Sequence, residues 1–263
     1  MLDCNNKGCR APDSLRALGP LGTSVPDDQV SSGAAQPLTR EAWTSRGWEA
    51  WLSEPQLASW IFVKAGALQA ERAAQLFEIC AQELPWFRPE NRQGRKWPRE
   101  TAWLTNPPCK CHYKYGGQDF VPHPTPSFLV RLWKEISPMF PPVESGSPSN
   151  CINCNQYHDG TDLVGWHADD EIPFDAVEND ATIISLSLGE TRKFQVKDSH
   201  DTIRSIDLAA GDLLVMHGRV QKHFWHRVQQ SDTDAPRINL TWRWLRLHSE
   251  RDGCPLARQR EPE

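Results

Sequence analysis

This 263-residue sequence lacks long apolar runs, an excess of positive charge and an apolar leader. No run approaches the roughly 18 apolar residues that a membrane span requires, so we expect no membrane association. The formal net charge is −5, so an acidic partner would need a local basic patch rather than the average field of the protein. Asp3, Asp13, Asp27 and Asp28 near the N-terminus are unlike a transit peptide. We therefore expect a soluble intracellular protein, in the nucleus or the cytoplasm.

The eight cysteines raise the question of a metal site. Cys109 and Cys111 form a CxC, and Cys151 and Cys154 form a CxxC, which are spacings that can indicate zinc. The CxxC leads into a predicted strand, however, where residues three apart face opposite sides and cannot share one ion. We predict reduced thiols in a reducing compartment and assign Cys4, Cys9 and Cys254 to tails. Whether any cysteine binds a metal stays open.

Hydrophobic periodicity divides the chain into four parts. Residues 1–37 are rich in Gly, Pro, Ser and Asp without a sustained period, which is typical of a disordered leader. Residues 38–149 are predicted to be largely helical, followed by a core at 150–247 and a C-terminal tail at 248–263. Within 38–149 the patterns predict helices over 39–52, 68–84 and 127–136 and a strand over 59–64.

Short strands dominate the predicted core. Apolar and alternating runs bounded by turn residues predict strands over 150–157, 181–189, 191–197, 202–208, 212–217, 222–228 and 236–246. Several strands that follow a few helices indicate a mainly β, α+β protein, a sandwich or a barrel with helices on one side.

Between residues 88 and 115 the local charge becomes positive. Glu90 and Glu100 oppose a larger basic set, and aromatic side chains are interleaved with it: Arg88, Arg92, Arg95, Lys96, Arg99, Lys110 and Lys114, with Trp97, Trp103, Tyr113 and Tyr115. Basic side chains suit phosphates, and aromatic faces suit unstacked bases. By composition alone, a solvated loop with its aromatic residues anchored in the core is the favoured interpretation.

A metal site is indicated at His167 and Asp169. An imidazole and a carboxylate at i and i+2 of an extended chain point to the same face, so both can reach one ion. Two His and one carboxylate bind iron in non-haem oxygenases, so a second His is needed. We expect His200 and His248 to face solvent, and His217 is a further candidate. On a predicted strand His223 and His226 face opposite sides, and the pattern only slightly favours His226.

The final predicted strand has one polar face. In residues 237–243, Arg, Asn, Thr and Arg alternate with Ile, Leu and Trp. This face is either the wet side of an edge strand or a surface inside a barrel that grips an anion, as arginine does with carboxylates. A dicarboxylate that also chelates iron would satisfy both arginines and the metal. Asn155 and Tyr157, again at i and i+2, would add an amide and a phenol.

These motifs resemble those of the AlkB family of iron(II)- and 2-oxoglutarate-dependent nucleic-acid demethylases. The similarity covers roughly residues 60–246 and consists of an ordered set: His167-Ala-Asp169-Asp-Glu171, Ser185-Leu-Ser-Leu-Gly189 with Arg192-Lys-Phe194, Met216-His-Gly218 with Gln221 and His226, and Arg237-Ile-Asn239-Leu-Thr-Trp-Arg243. The resemblance implies a double-stranded β-helix (jelly-roll) core with an N-terminal nucleotide-recognition lid within residues 38–149.

The resemblance also implies roles for individual residues. His167, Asp169 and His226 would bind Fe(II). The co-substrate 2-oxoglutarate would be held by Asn155, Tyr157, Arg237, Asn239 and Arg243. On the substrate side, Tyr113 belongs to the lid, Tyr115 would stack on a flipped base, Arg99 would support the opened duplex, and Glu171 would contact the amino group of the methylated base.

The implied function is oxidative demethylation of N-alkylated nucleobases, of the 1-methyladenine and 3-methylcytosine type, in DNA or RNA. Such a reaction consumes O2 and 2-oxoglutarate and releases formaldehyde, succinate and carbon dioxide. We expect a monomer. Two alternatives stay open: a 2-oxoglutarate-dependent hydroxylase or demethylase of a protein or small molecule, and a non-catalytic nucleic-acid-binding relative.

Overall fold

The computed structural model describes residues 39–91 and 93–258, so the predicted leader, Cys4, Cys9 and Arg92 lie outside the described residues. Four short or medium helices accompany the strands: α1 (Arg40–Thr44), α2 (Ala70–Glu83), α3 (Ser127–Ile136) and α4 (Val220–His223). The strands are β1 (Glu49–Glu54), β2 (Ser59–Lys64), β3 (Glu100–Thr105), β4 (Tyr113–Tyr115), β5 (Gln118–Phe120), β6 (His123–Pro124), β7 (Cys151–Tyr157), β8 (Val164–His167), β9 (Ala181–Gly189), β10 (Arg192–Lys197), β11 (Ile203–Leu208), β12 (Leu213–Gly218), β13 (Trp225–Val228) and β14 (Arg237–Arg243).

Two sheets form the body of the protein. The large sheet has the strand order β1-β2-β12-β9-β14-β7-β3-β6, and the small sheet has the order β11-β10-β13-β8. A third, two-stranded sheet is the hairpin of β4 and β5. The two main sheets are those of a mainly β, double-stranded β-helix fold, as expected. Strands from both sides of residue 149 share the large sheet, so the predicted boundary at residue 149 does not separate two sheets.

The central strands β7 and β14 of the large sheet are buried along their whole length, so both faces of the sheet are covered there. In β9 and β12, Ile184 and Leu213 pack in the cluster that contains α2 and α3, whereas Ile183 and Leu214 pack in the cluster that contains the small sheet. Adjacent residues therefore serve different layers, because successive side chains of a strand point to opposite faces. Helices α2 and α3 occupy the predicted positions and cover the outer face.

Two predicted elements are wrong in part. The helix predicted over 39–52 ends at Thr44, because Gly47 adopts a left-handed φ of +76° and the chain then enters β1, which pairs with β2. The strand predicted over 222–228 begins only at Trp225, and His223 lies in the helical turn α4 rather than on the strand. In both cases tertiary pairing rather than local periodicity decides the boundary.

The structure confirms the prediction for the CxxC and contradicts the prediction for Cys254. Cys154 packs beneath the helices and Cys151 in a different cluster, so the CxxC does not present both sulfurs to one side, as predicted. Cys254, which the sequence assigned to a tail, is only 2% exposed. No helix within residues 39–91 and 93–258 combines the length and apolar character needed to cross a membrane.

Candidate active site

Strand pairing brings the three predicted metal ligands together. His167 is the last residue of β8 and lies opposite His226 of β13 in the small sheet, and Asp169 follows two residues later. The His167 Nε2 atom is 3.8 Å from Asp169 Oδ1, and the His226 Nε2 atom is 3.7 Å from Asp169 Oδ2. The three ligand atoms all lie within 4.8 Å of one another. Two imidazole nitrogens and one carboxylate in this arrangement fit Fe(II).

The protonation states also suit a metal. Burial lowers the pKa of His226 to about 3, so its imidazole is neutral at pH 7 and its ring nitrogen is free to bind an ion. His167 Nδ1 lies 2.9 Å from the carbonyl oxygen of Gly165, a contact that places the proton on Nδ1 and leaves Nε2 for the metal. Burial alone would raise the pKa of Asp169, but Arg243 and the two imidazoles lower it below its usual value.

Two side chains hold Asp169 in place. The Gln221 amide oxygen accepts a hydrogen bond from the Asp169 backbone N–H at 2.9 Å. Arg243 Nη2 lies 2.9 Å from Asp169 Oδ1, and both side chains are nearly fully buried. In the sequence, Gln221 belonged to a motif but had no assigned role. A hydrogen bond from a side chain to the backbone of a distant residue cannot be predicted from the periodicity of the sequence. Gln221 acts as a positioning residue for the metal ligand.

An anion cradle lies on the neighbouring strands. Antiparallel pairing of β14 and β7 sets Arg237 opposite Tyr157 and Asn239 opposite Asn155. Arg237 is 1% exposed, and its Nη2 atom donates to Ser187 Oγ at 2.9 Å. Its Nε and Nη1 atoms have no partner, and no carboxylate oxygen lies within 4.0 Å of its guanidinium in the described part of the chain. A desolvated, unpaired guanidinium fits a bound carboxylate, since burial of an unpaired charge is costly.

Arg192 is a second buried guanidinium in the same fold, and only its Nε atom lacks a partner among the described residues. It lies on the same tyrosine ring, 5.5 Å from the Tyr157 centroid, where Arg237 lies at 5.4 Å. Its nitrogens donate to three backbone carbonyl oxygens, those of Asp159, Asp162 and Gln229. Both terminal nitrogens of Arg192 are therefore used within the protein, whereas Nη1 of Arg237 is unpaired and can bind a ligand.

Arg243, unlike Arg237, is paired with a carboxylate of the protein. Besides its bond to Asp169, its Nη1 atom donates to the Tyr113 hydroxyl at 2.9 Å. Tyr113 in turn donates to Glu171 Oε1 at 2.9 Å. Arg243 therefore links Asp169 to Tyr113 and Glu171, and it already has a carboxylate partner within the protein.

The Glu171 carboxyl lies behind Tyr113. Its Oε2 atom is buried and has no partner among the described residues. Burial and the nearby Asp169 carboxylate raise the pKa of Glu171 to about 7. A carboxyl of this kind has one free acceptor that a donor from a ligand can occupy.

A hairpin presents the two tyrosines. Gly116 and Gly117 join β4 to β5, and both have positive φ values of +57° and +78°, as two-residue hairpin turns require. A Cβ atom at Gly116 would lie 2.8 Å from the Trp97 ring, so this glycine also allows the turn to approach the tryptophan closely. The rings of Tyr113 and Tyr115 are 4.6 Å apart. The hairpin thereby forms an aromatic wall.

The basic run contains two kinds of residue, which composition did not separate. Arg99 is 7% exposed and donates to Asn155 Oδ1 at 2.8 Å and to the Tyr115 hydroxyl at 2.6 Å. Arg88 forms a two-bond ion pair with Asp162. Arg95 and Lys96 are exposed and have no ion-pair partner within the described residues. Among the described residues of the run, Arg95 and Lys96 are therefore open to solvent, whereas Arg88 and Arg99 are engaged within the protein.

The predicted metal ligands, the guanidinium of Arg237 and the tyrosines of the hairpin all line one cleft. Every predicted site residue except Glu171 lines it: Arg99, Tyr113, Tyr115, Asn155, Tyr157, His167, Asp169, His226, Arg237, Asn239 and Arg243. His223, the rival of His226, lies in α4 and does not line the cleft. The cleft therefore combines a metal triad, a free guanidinium and an aromatic wall.

Comparison with known proteins agrees with this chemistry. The sequence model of the 2OG-Fe(II) oxygenase superfamily matches residues 61–243. Alpha-ketoglutarate-dependent dioxygenase alkB homolog 3 of Bos taurus is 31% identical over 68% of this chain, and the chain spans 63% of that relative's length. DNA oxidative demethylase ALKBH2 of Homo sapiens is 28% identical, covering 72% of this chain and 78% of the relative. A solved structure, "The structure of OsALKBH1", is 17% identical with a TM-score of 0.47, covering 70% of this chain and 96% of that one. The matched family model and the relatives place the chain in the 2OG-Fe(II) oxygenase superfamily, and within it in the AlkB family.

Proposed function

We propose that this chain is an Fe(II)- and 2-oxoglutarate-dependent oxidative demethylase of N-alkylated nucleobases in DNA or RNA. The observation that carries the proposal is the cleft, in which the metal triad and the guanidinium of Arg237 lie beside an aromatic hairpin, with the Glu171 carboxyl held behind the hairpin by the Tyr113 hydroxyl. The metal triad and the guanidinium are the groups that a 2-oxoglutarate oxygenase needs. The aromatic hairpin and the carboxyl suit a flat, nitrogen-rich substrate.

His167, Asp169 and His226 would hold Fe(II), and Arg237 would pair with a carboxylate of 2-oxoglutarate. Tyr157, Asn155 and Asn239 would complete the binding of the co-substrate from the neighbouring strands. When bound with O2, these cofactors supply the oxidising chemistry, and the protein supplies position and field. Gln221 and Arg243 keep Asp169 oriented and ionised, and the neutral imidazoles leave their Nε2 lone pairs available.

The substrate side suits a methylated base. Methylation at N1 of adenine or N3 of cytosine makes the base cationic, and the Glu171 carboxyl offers a free, buried oxygen to such a base. The Tyr115 ring offers a stacking face, which is sequence-tolerant because every base has a π-face. A target within a duplex must leave the stack, at a cost of a few kcal/mol that is lowest for a damaged or single-stranded base.

The relatives support a nucleic-acid substrate, since one of them is named a DNA oxidative demethylase. We further infer a monomer, because every group of the cleft comes from one chain, and a nuclear or cytoplasmic site of action, where nucleic acids occur.

The direct test is an oligonucleotide panel. Oligonucleotides with 1-methyladenine or 3-methylcytosine, single- and double-stranded, DNA and RNA, are incubated with the iron-loaded protein, 2-oxoglutarate and O2. We expect formaldehyde from at least one methylated member, with an equal amount of succinate above the level formed without substrate, and no formaldehyde from the unmethylated matches, as measured by mass spectrometry and a formaldehyde assay. Consumption of 2-oxoglutarate without any demethylated product would favour a protein or small-molecule substrate. No turnover of 2-oxoglutarate at all would favour a non-catalytic relative.

A charge reversal distinguishes a nucleic-acid substrate from the alternative with the same iron site. The change is Arg95→Glu with Lys96→Glu, and Arg99 is left intact because it is buried against Asn155. Removal of one phosphate-binding side chain should lower the salt slope of binding by about 1. We therefore expect the KM for the oligonucleotide to rise and its salt dependence to fall by up to about 2 in slope, while succinate formation without substrate stays unchanged.

The matched control is Arg131→Glu with Lys134→Glu, which alters the net charge equally on the exposed face of α3. This control should leave the KM and the salt slope near their original values. Equal effects of the two double variants would show that only the average field of the protein matters and would contradict a phosphate contact at residues 95 and 96.

A further inference from the structure

Three cysteines and one histidine that the proposed reaction does not use lie together beside the start of the β4 strand. Cys109 and Cys111 precede β4, while His248 and Cys254 follow β14, more than 130 residues later in the chain. The three cysteine side chains are between 1% and 6% exposed. Their sulfurs and one nitrogen of His248 all lie within 4.8 Å of one another. The expectation that His248 faces solvent is wrong in part, because the residue is half-buried and its Nδ1 atom faces the sulfurs.

The distances are those of a tetrahedral zinc site. His248 Nδ1 lies 3.6 Å from the Cys109 sulfur, 3.3 Å from Cys111 and 3.6 Å from Cys254. The sulfurs of Cys109 and Cys254 are 3.9 Å apart. With Zn–S bonds of about 2.3 Å and a Zn–N bond of about 2.0 Å, tetrahedral geometry places S and N about 3.5 Å apart and two S about 3.8 Å apart. The four side chains already have the spacing that a central ion imposes.

Neither a disulfide nor hydrogen bonding alone accounts for this geometry. A disulfide has an S–S distance of about 2.0 Å, and the six cysteines of the described residues are free. Hydrogen bonding alone uses one Nδ1 atom, which can donate or accept one proton, so it cannot hold three sulfurs at nearly equal distances. A metal ion satisfies all four groups at once.

The surroundings also match a structural metal site. The Ser249 backbone N–H donates to the Cys111 sulfur at 3.4 Å, the kind of bond that stabilises a thiolate. The carbonyl oxygen of Cys111 accepts from Trp103 Nε1 at 2.9 Å, and Asp252 accepts from the His112 backbone N–H at 2.9 Å. These bonds fix the two segments before any ion binds.

We propose that Cys109, Cys111, His248 and Cys254 form a structural Zn²⁺ site that fastens the β4–β5 hairpin to the segment after β14. Binding replaces the thiol protons with the metal, which is closed to water by its four protein ligands. Cys111 is two residues from Tyr113, whose ring packs 4.8 Å from Trp103. The ion would thus anchor the aromatic wall of the cleft from behind. This consequence rests on the proposed function, but the metal site itself does not.

The test measures zinc in the full chain, purified from zinc-supplemented culture, by plasma mass spectrometry. The background is His167→Ala, which removes a ligand of the other metal centre, so that any zinc counted belongs to the cysteine cluster. We expect one zinc per chain in this background and less than about a tenth after Cys111→Ser or Cys254→Ser is added. The added changes should also lower the unfolding temperature by about 5 °C or more. Cys80→Ala, a buried cysteine of α2, should retain the zinc.

A second measurement needs no cysteine variant and so does not depend on variant folding. Zinc release is followed while an organomercurial reagent titrates the thiols of the His167→Ala chain, and X-ray absorption at the zinc edge gives the ligands. We expect release in step with three thiols and a shell of three sulfurs at about 2.3 Å with one nitrogen. A zinc-free protein, or a disulfide between Cys109 and Cys254 in the freshly purified chain, would overturn the proposal. Zinc content is independent of demethylation, so either hypothesis can fail alone.

Discussion

Replacing His167 with alanine is expected to lower formaldehyde release from a methylated oligonucleotide by more than about 100-fold, since even outer-shell changes at metal sites cost about 10–100-fold. The reason is that the triad would lose one of its two imidazoles, and Asp169 and His226 alone do not hold Fe(II) in the required geometry. Asp169→Asn should have a similar effect. Formaldehyde and succinate are measured at saturating 2-oxoglutarate, together with Fe(II) affinity.

Stability is the main confounding effect, and the two changes differ in it. The His167 side chain is 36% exposed, so its removal leaves the core intact. Asp169 is the carboxylate partner of buried Arg243, so Asp169→Asn leaves a buried cation with a weaker partner and should lower the unfolding temperature. His200→Ala, in an exposed turn, is the matched control and should retain full activity. Turnover that persists in folded His167→Ala would refute the metal assignment.

The parts of the site that lie within one strand were visible in the sequence. His167 with Asp169, and the alternating polar residues of 237–243, follow the two-residue period of a strand, so neighbours in sequence share a face. The partner strands were not visible in this way. His226 lies opposite His167 only because β13 pairs with β8, and the pattern itself hardly separated it from His223. The resemblance to the AlkB family identified His226 as the second histidine, which strand periodicity alone did not.

Residues whose role depends on tertiary contacts were misassigned or missed. Arg99 belongs by composition to a solvated basic run, yet it turns inward to Asn155 and Tyr115. The cluster of Cys111 with His248 joins segments 137 residues apart, so the CxC spacing indicated only the first half of it. The segment after Trp43 looked helical because its tryptophans have a spacing compatible with a helix, whereas pairing of β1 with β2 decides the outcome. Long-range pairing, not local propensity, limited the prediction in each case.

Replacing Arg237 with methionine is expected to raise the 2-oxoglutarate concentration for half-maximal rate by about 30-fold or more. The basis is that loss of one partner of a buried charge pair costs about 2–5 kcal/mol, at about 1.4 kcal/mol per tenfold. The free protein should tolerate the change, because it loses the bond to Ser187, worth about 1 kcal/mol net, and the contact with the Tyr157 ring, but no longer buries an unpaired cation. Steady-state kinetics and the rise in unfolding temperature on adding 2-oxoglutarate measure the two effects.

The contrast with Arg192 makes this prediction specific to ligand binding. Arg192→Met removes three bonds to backbone carbonyl oxygens beside the same tyrosine, so it should lower the unfolding temperature of the free protein strongly. The stabilisation by 2-oxoglutarate should nevertheless persist in that variant, because its guanidinium does not line the cleft. Arg237→Lys, which keeps the charge but not the planar fork, should fall between the wild type and Arg237→Met. Unchanged 2-oxoglutarate affinity in Arg237→Met would instead move the carboxylate partner to Arg243, which would then have to release Asp169 to bind it.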